Sequence, residues 1–321
     1  MGTTEVSITT TADAPFNDPT DCVDLVIRTV DNVDFFVLSG LLSLKSPSSF
    51  FRQVLQSGHH TEERDGFPIL EVKEDGETFR IILLLCYPYA PPKIKSVEQL
   101  VAVGKALDKY CMDHAWKRFA QTVITSSLIK EQTLRIFAHA VVNGWRVLGE
   151  AAAKDALSIP LDDPEAELED LNYINTLQYI RLRNYHRKCR QTAQDVLLKP
   201  KAAPWLEGKA SELLFPNYST DRCRWCGGRL GCWLPSPGFY THPWVTDYHT
   251  AVKAEMLRRP HPETVLDEAI IADAVTNSIS QCPKEEWKKI AISQVRLWGN
   301  FLMEEIDKQI SQAPLNIDWT K

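Results

Sequence analysis

The sharpest hydrophobic pattern lies between Asp24 and Leu55. Leu25, Ile27 and Thr29 fall at alternating positions, Asp31-Asn32 interrupts, and Asp34 to Leu38 turns apolar again. This predicts two half-buried strands joined by a reversal. Leu41-Leu42 begins a helical pattern that Ser46-Pro47 stops, because proline disfavours helical backbone in the residue before it. Proline is tolerated at a helix start, so the next helix would bury Phe50, Phe51, Val54 and Leu55.

Farther along, Phe67 to Val72 reads as a strand. Glu74-Asp75 and Thr78-Phe79 then lead into a helix through Ile81 to Cys86 that ends at Tyr87-Pro88-Tyr89. Val97 to Tyr110 is helical and closes on Asp108-Lys109-Tyr110. Glu131 to Ala140 and Trp145 to Leu157 are two more helices, the second passing through Ala151 to Ala153 and ending before Ile159-Pro160. An acidic stretch from Pro160 to Glu169 reads as a linker.

Leu168 to Leu198 follows as a long amphipathic helix with a basic face of Arg181, Arg183, His186, Arg187, Lys188 and Arg190. A solvated charged face is preferred over a phosphate site. Residues 200–246 are irregular, rich in proline and in Trp205, Phe215, Trp225, Trp233 and Trp244, and are expected to wrap over helices and bury their own rings. Helices at Tyr248 to Arg258, Thr264 to Ile279 and Glu285 to Ile310 complete the chain. In the last, with Pro283 ahead of it, Trp287, Ile290, Ala291, Val295, Trp298, Phe301, Leu302, Ile306 and Ile310 form one stripe.

The order and spacing of the segments from Asp24 to Tyr110 resemble a BTB/POZ domain, a protein-interaction fold, over about residues 22 to 126. Gly66-Phe67-Pro68 before the third strand, Tyr87-Pro88 at the helix end and Lys109-Tyr110 look most like the large fungal group of these proteins. The resemblance implies an α+β fold: a small sheet flanked by helices, then an all-α region (127–321) whose start, about 127–160, is similar in position to the BACK region of other BTB adaptors. Asp24, Phe35, Leu41, Leu42, Phe51, Tyr87 and Tyr110 are the signature or interface residues it points to, with Val23 as a further apolar contributor. In BTB domains of zinc-finger transcription factors, an Asp at the first strand shares a charged pocket with an Arg that begins the first helix and follows a His. Here Asp24 is kept, but Leu38 and Ser39 replace the other two, so that pocket is expected to be absent.

Composition narrows the function. The 321 residues predict about two domains. A net charge of -6 and a pI near 5.8 give no global reason to expect nucleic acid or an anionic membrane as partner. The 44% hydrophobic share is enough for ordinary cores, and no apolar run approaches the ~18 residues a membrane span needs. Residues 1–21, Thr-rich and acidic, match neither a secretory signal nor a transit peptide and are expected to be a disordered lead-in. The eight cysteines are then read as reduced thiols in the cytoplasm or nucleus, with Cys86 and Cys111 acting as small core residues. The sequon at Asn217-Tyr218-Ser219 carries no expectation of glycosylation.

One motif carries candidate chemistry. Cys223 and Cys226, with glycines behind them, suit half of a tetrahedral zinc site. Cys232, His242, His249 or the distant Cys189 would have to complete it, and no second C-x-x-C exists, so no stoichiometric zinc is expected. A redox role is disfavoured because no βαβ pattern surrounds the pair. No nucleophile elbow, phosphate loop, H-E-x-x-H or dinucleotide glycine motif occurs, His59-His60 reads as solvated, and His114 as a helix-end residue.

The expected function is therefore non-catalytic: self-association as a homodimer and partner docking. Linking a client to a cullin-family ubiquitin ligase is one form that the resemblance implies. A zinc-dependent recognition module built on Cys223 and Cys226, or an unrecognised enzyme, are the alternatives.

Overall fold

The computed structural model describes residues 9–44, 51, 62–161, 169–198, 204–206, 208–209, 212–214, 229–230, 240–241, 243–279 and 285–320. It is a mixed α+β protein that divides into two compact units, 1–149 and 150–321.

The first unit is built on a hairpin. Strand β2 (Leu25–Arg28) pairs antiparallel with β3 (Val33–Val37) in the register Leu25↔Val37 to Arg28↔Asp34. In the reversal the Thr29 hydroxyl donates to Asp31 (2.6 Å) and accepts the Val33 N–H (3.2 Å), while Asn32 takes the left-handed φ of 59° that asparagine tolerates. Strand β5 (Phe67–Glu71) lies parallel to β2, and such pairs need a long crossover; helix α1 (Ser39–Leu44) lies within it. The edge strand β4 (Glu63–Arg64) reaches β5 through Asp65 and Gly66, both at positive φ. β1 (Thr10–Thr11) closes the other edge parallel to β3, giving the order β1-β3-β2-β5-β4.

Two expectations change here. Leu25, Val26 and Ile27 are all fully buried, so β2 is covered on both faces rather than half-buried. The reason is its central place: Leu25, Ile27, Phe35, Val37 and Leu70 share one face, while Val26, Phe36 and Ile69 form a second cluster flanked by Val23 and Phe67. The lead-in also departs from disorder between residues 10 and 16. Beyond β1, Phe16 is buried and its carbonyl accepts the Phe36 N–H (3.0 Å).

Helix α2 (Gly76–Cys86) starts at Asp75, whose carboxylate accepts the Thr78 N–H, and α3 (Val97–Lys109) starts at Ser96, which caps Gln99 in the same way. Phe79 of α2 reaches the sheet against Phe35 and touches Phe51. The rest of the helix expected around Phe51 lies outside the described residues. α4 (Asp113–Ile124), α5 (Ser127–Glu131) and α6 (Thr133–Asn143) follow, and α6 ends in Gly144 at φ 72°. α5 and α6, expected to belong to a separate region after residue 126, stay within the first unit. Arg135 of α6 pairs with Glu98 (2.6 Å), and the Trp145 indole donates to Asp108 of α3 (2.7 Å) and packs on Trp116.

The division falls inside helix α7 (Arg146–Asp155). In the second unit, the expected long helix splits into a 3-10 turn (Glu169–Tyr173) and α8 (Thr176–Leu198). After these come α9 (Pro243–Glu255), a 3-10 turn at Pro262–Leu266, α10 (Glu268–Ile279) and α11 (Glu285–Ile310). The α11 stripe is buried from Ala291 through Val295, Trp298, Leu302 and Ile306 to Ile310. Gly299 lets α11 approach the turn before α10, where the Tyr248 hydroxyl donates to the Val265 carbonyl (2.5 Å). The unit is not purely α, because Arg229–Leu230 (β6) and Tyr240–Thr241 (β7) pair antiparallel. Most of the loop at 200–246 lies outside the described residues; within it Trp205 stacks on Trp298 at 5.8 Å. Among the described residues, no helix is long and apolar enough to cross a membrane.

Candidate interaction surface

Three chain segments meet at the end of α2. Tyr87 and Tyr89 stack nearly parallel at 6.0 Å, and Phe16 meets both edge-on, at 5.2 and 6.1 Å. The Tyr87 hydroxyl accepts the Leu38 N–H (2.7 Å), which ties the end of β3 to this aromatic shelf. Leu38 and Tyr89 are 38% and 40% exposed, so the corner leaves apolar surface open to solvent. Leu41 lies beside it, its N–H donating to the Leu38 carbonyl (3.0 Å).

The shelf is held from beneath by arginines. Arg118 of α4 donates to the carbonyls of Leu85 (2.6 Å), Tyr87 (2.9 Å) and Tyr89 (3.1 Å). A helix leaves its last carbonyls without partners and carries partial negative charge there, so a cation at this point both bonds and neutralises. Arg80 does the same for the chain before Phe16, donating to the carbonyls of Asp13 and Ala14. Burial pushes the Tyr87 phenol up to about 12, outweighing the opposing Leu38 hydrogen bond.

Asp24 anchors the other side. Its carboxylate accepts both the N–H (2.6 Å) and the hydroxyl (2.8 Å) of Ser39 at the first residue of α1. The Asp position thus serves as a helix-start acceptor, where a carboxylate is favoured by the helix dipole. A charged cluster forms elsewhere, on the second face of the sheet. Asp34, fully buried, receives Arg28 Nε (2.8 Å) and Nη2 (2.9 Å) and also Arg64, whose other nitrogen reaches Thr11 (2.8 Å). Burial raises the Asp34 pKa, but the two guanidiniums outweigh it and hold the carboxyl below its usual range. Arg64 also lies 5.7 Å over the Phe36 ring. This cluster locks β1 and β4 to the sheet.

The remaining residues singled out from sequence separate cleanly. Phe35, Leu42, Phe51 and Tyr110 are core residues, each 1% exposed or less, whereas Asp24, Leu41 and Tyr87 reach the surface. Tyr110 donates to Glu74, which Lys109 also contacts (2.8 Å), and burial pushes its phenol far up. Leu38, Tyr89, Phe16 and Arg118 carry no signal in the sequence that marks them for this corner. The pattern around Tyr89 marks only a helix end, and nothing local to Arg118 shows that it reaches a turn some thirty residues earlier.

Cys223, Cys226, Cys232 and His242 lie outside the described residues, as do His59 and His60. Of the further ligand candidates, His249 is buried on α9, which pushes its pKa down to about 4, and Cys189 is buried on α8, which pushes its thiol up to about 11. Among the described residues, no three His, Cys, Asp or Glu side chains converge to hold a metal ion. His114 is exposed in the first turn of α4. Cys86 is buried as expected, but Cys111 is exposed at φ 52°, because it occupies the tight turn between α3 and α4 rather than a helix face. No protein-family model matches this chain, and no curated protein matches it.

Proposed function

We propose that the chain is a non-catalytic interaction protein whose first unit is a BTB/POZ-type module that self-associates through the corner formed by Leu38, Leu41, Tyr87 and Tyr89. The observation that carries the proposal is this exposed aromatic and aliphatic corner, held rigid by Arg118 and Asp24. Rigid aromatic groups in a partly desolvated setting are what interface anchors require. The order of elements supports the same reading: a hairpin, α1, a third strand parallel to the first, then helices, in the sequence that the BTB resemblance implies.

Light scattering of the full chain at micromolar concentration tests it. The expected mass is twice the 36.5 kDa of one chain, falling to one chain in Leu38→Glu/Tyr89→Ser, with an unchanged helical circular-dichroism signal. A wild-type monomer persisting at ~100 μM, where a stable interface would be saturated, overturns the proposal. A cullin N-terminal domain is the partner that the resemblance implies for this module. Calorimetric titration with no binding tighter than ~100 μM would remove that arm alone.

A further inference from the structure

The second unit presents an unusual stripe. On α8, Leu177 and Ile180 are 55% and 46% exposed and, three residues apart, share one face, while Tyr173, 60% exposed, ends the 3-10 turn that precedes the helix. The stripe continues through exposed Asn184 and Arg187, flanked by exposed Arg183 and Lys188. The opposite face of α8 is buried at Leu182, Tyr185, His186, Cys189 and Ala193, so this helix is already docked by its other side. His186, read from sequence as part of the basic face, bonds the Ile159 carbonyl (3.1 Å) instead. Arg181 and Arg190 are half-buried at the flanks.

A solvated charged face does not need two large apolar side chains in register with it and a third just before the helix, since a protein surface tends to scatter such groups. The combination is directional, apolar at the N-terminal end and cationic toward the middle. We propose that this face docks an acidic amphipathic segment of another protein, its apolar residues on Tyr173, Leu177 and Ile180 and its carboxylates on Arg183, Arg187 and Lys188. Charge complementarity selects the partner: the face is basic in a chain of net charge -6, so an acidic segment is drawn to this region and repelled from most others. A nucleic acid would use the cations but leave the apolar end uncovered, since phosphate contacts carry its affinity. The inference rests on reading the chain as an interaction protein, but not on its self-association.

Fluorescence anisotropy with the full chain tests it. The probe is a labelled peptide of about four helical turns with Leu or Ile at i, i+3, i+4 and i+7 and Glu or Asp at the other positions. A Kd on the order of 10 μM is expected, weakened at least about tenfold by Leu177→Ser/Ile180→Ser, by Arg183→Glu/Arg187→Glu, and by scrambling the peptide at constant composition. All substituted side chains are exposed, and the melting curve of each variant verifies folding. No saturation by ~1 mM, or equal binding of the scrambled peptide, overturns the proposal. So does a change from dimer to monomer in Leu177→Ser/Ile180→Ser, which assigns the face to a second copy. Sedimentation with phosphatidylserine-rich vesicles that is lost in Arg183→Glu/Arg187→Glu assigns it to a membrane and likewise overturns it. Because Leu38→Glu/Tyr89→Ser leaves this face intact, loss of self-association with peptide binding retained separates the two readings.

Discussion

Asp34→Asn tests the physical account of the sheet most directly. The side chain is completely buried between Arg28 and Arg64, whose own side chains are 17% and 27% exposed. Asparagine keeps the volume and one acceptor oxygen but turns an N–H donor toward guanidinium donors and removes the charge. Breaking a buried pair from one side costs about 3–5 kcal/mol, and the residual hydration of both arginines, with Glu62 still 3.2 Å from Arg28, brings this down to about 2–4 kcal/mol. With a urea m value of about 2 kcal/mol/M, the middle of the range of roughly 1–3, the unfolding midpoint of the first unit should drop by about 1–2 M. Hydrogen exchange of peptic fragments covering residues 24–38 assigns the shifted transition to that unit. The pH dependence supplies an independent sign. The folded pKa of Asp34 is depressed, so its stabilisation is fully present above the unfolded value near 3.9 and is lost as pH falls through the folded value. The gap between wild type and variant should therefore be constant from about pH 7 to 5 and close below about pH 4. A variant within ~0.5 kcal/mol of wild type at pH 7, or a gap that persists undiminished to pH 2, would refute the reasoning.

Two further outcomes follow from the same kind of accounting. Arg118→Met, which keeps the apolar stem but removes three donors to the Leu85, Tyr87 and Tyr89 carbonyls, should destabilise the first unit by about 1.5–3 kcal/mol and weaken self-association even though Arg118 is not itself on the shelf; a normal dimer with an unchanged melting curve contradicts it. Gly299→Ala should lower stability by up to about 2 kcal/mol, because its Cβ would lie 2.8 Å from Leu266 Cδ2 and 2.9 Å from the Tyr248 hydroxyl, and an overpacking cost of about 1–3 kcal/mol outweighs the ~1 kcal/mol gain in helix propensity. A raised melting temperature, as for a glycine in an open helix, would show that α11 does not approach the turn so closely.

Much of the architecture was written locally. The alternation at Leu25 and Ile27, the Asp31-Asn32 reversal, the caps at Asp75 and Ser96 and the α11 stripe are patterns within a few residues, and backbone geometry converts such patterns into elements wherever they occur. Fold class was legible for the same reason. What stayed hidden depends on partners distant in the chain. Nothing near Val26 says that it is covered on its own face, since that follows only from β2 being central in a five-stranded sheet. Thr10-Thr11 carries no apolar period and becomes a strand because β3 offers it an edge. Asp34 looks like any strand-start carboxylate until Arg64, thirty residues on, closes over it, and Arg118 looks like a surface cation until α4 brings it under three carbonyls. Likewise the basic run of α8 was visible, but tertiary packing decided that His186 points inward while Leu177 and Ile180 stay exposed. Periodicity records which side of an element can be buried; only packing decides which side is, and which charges that packing brings together.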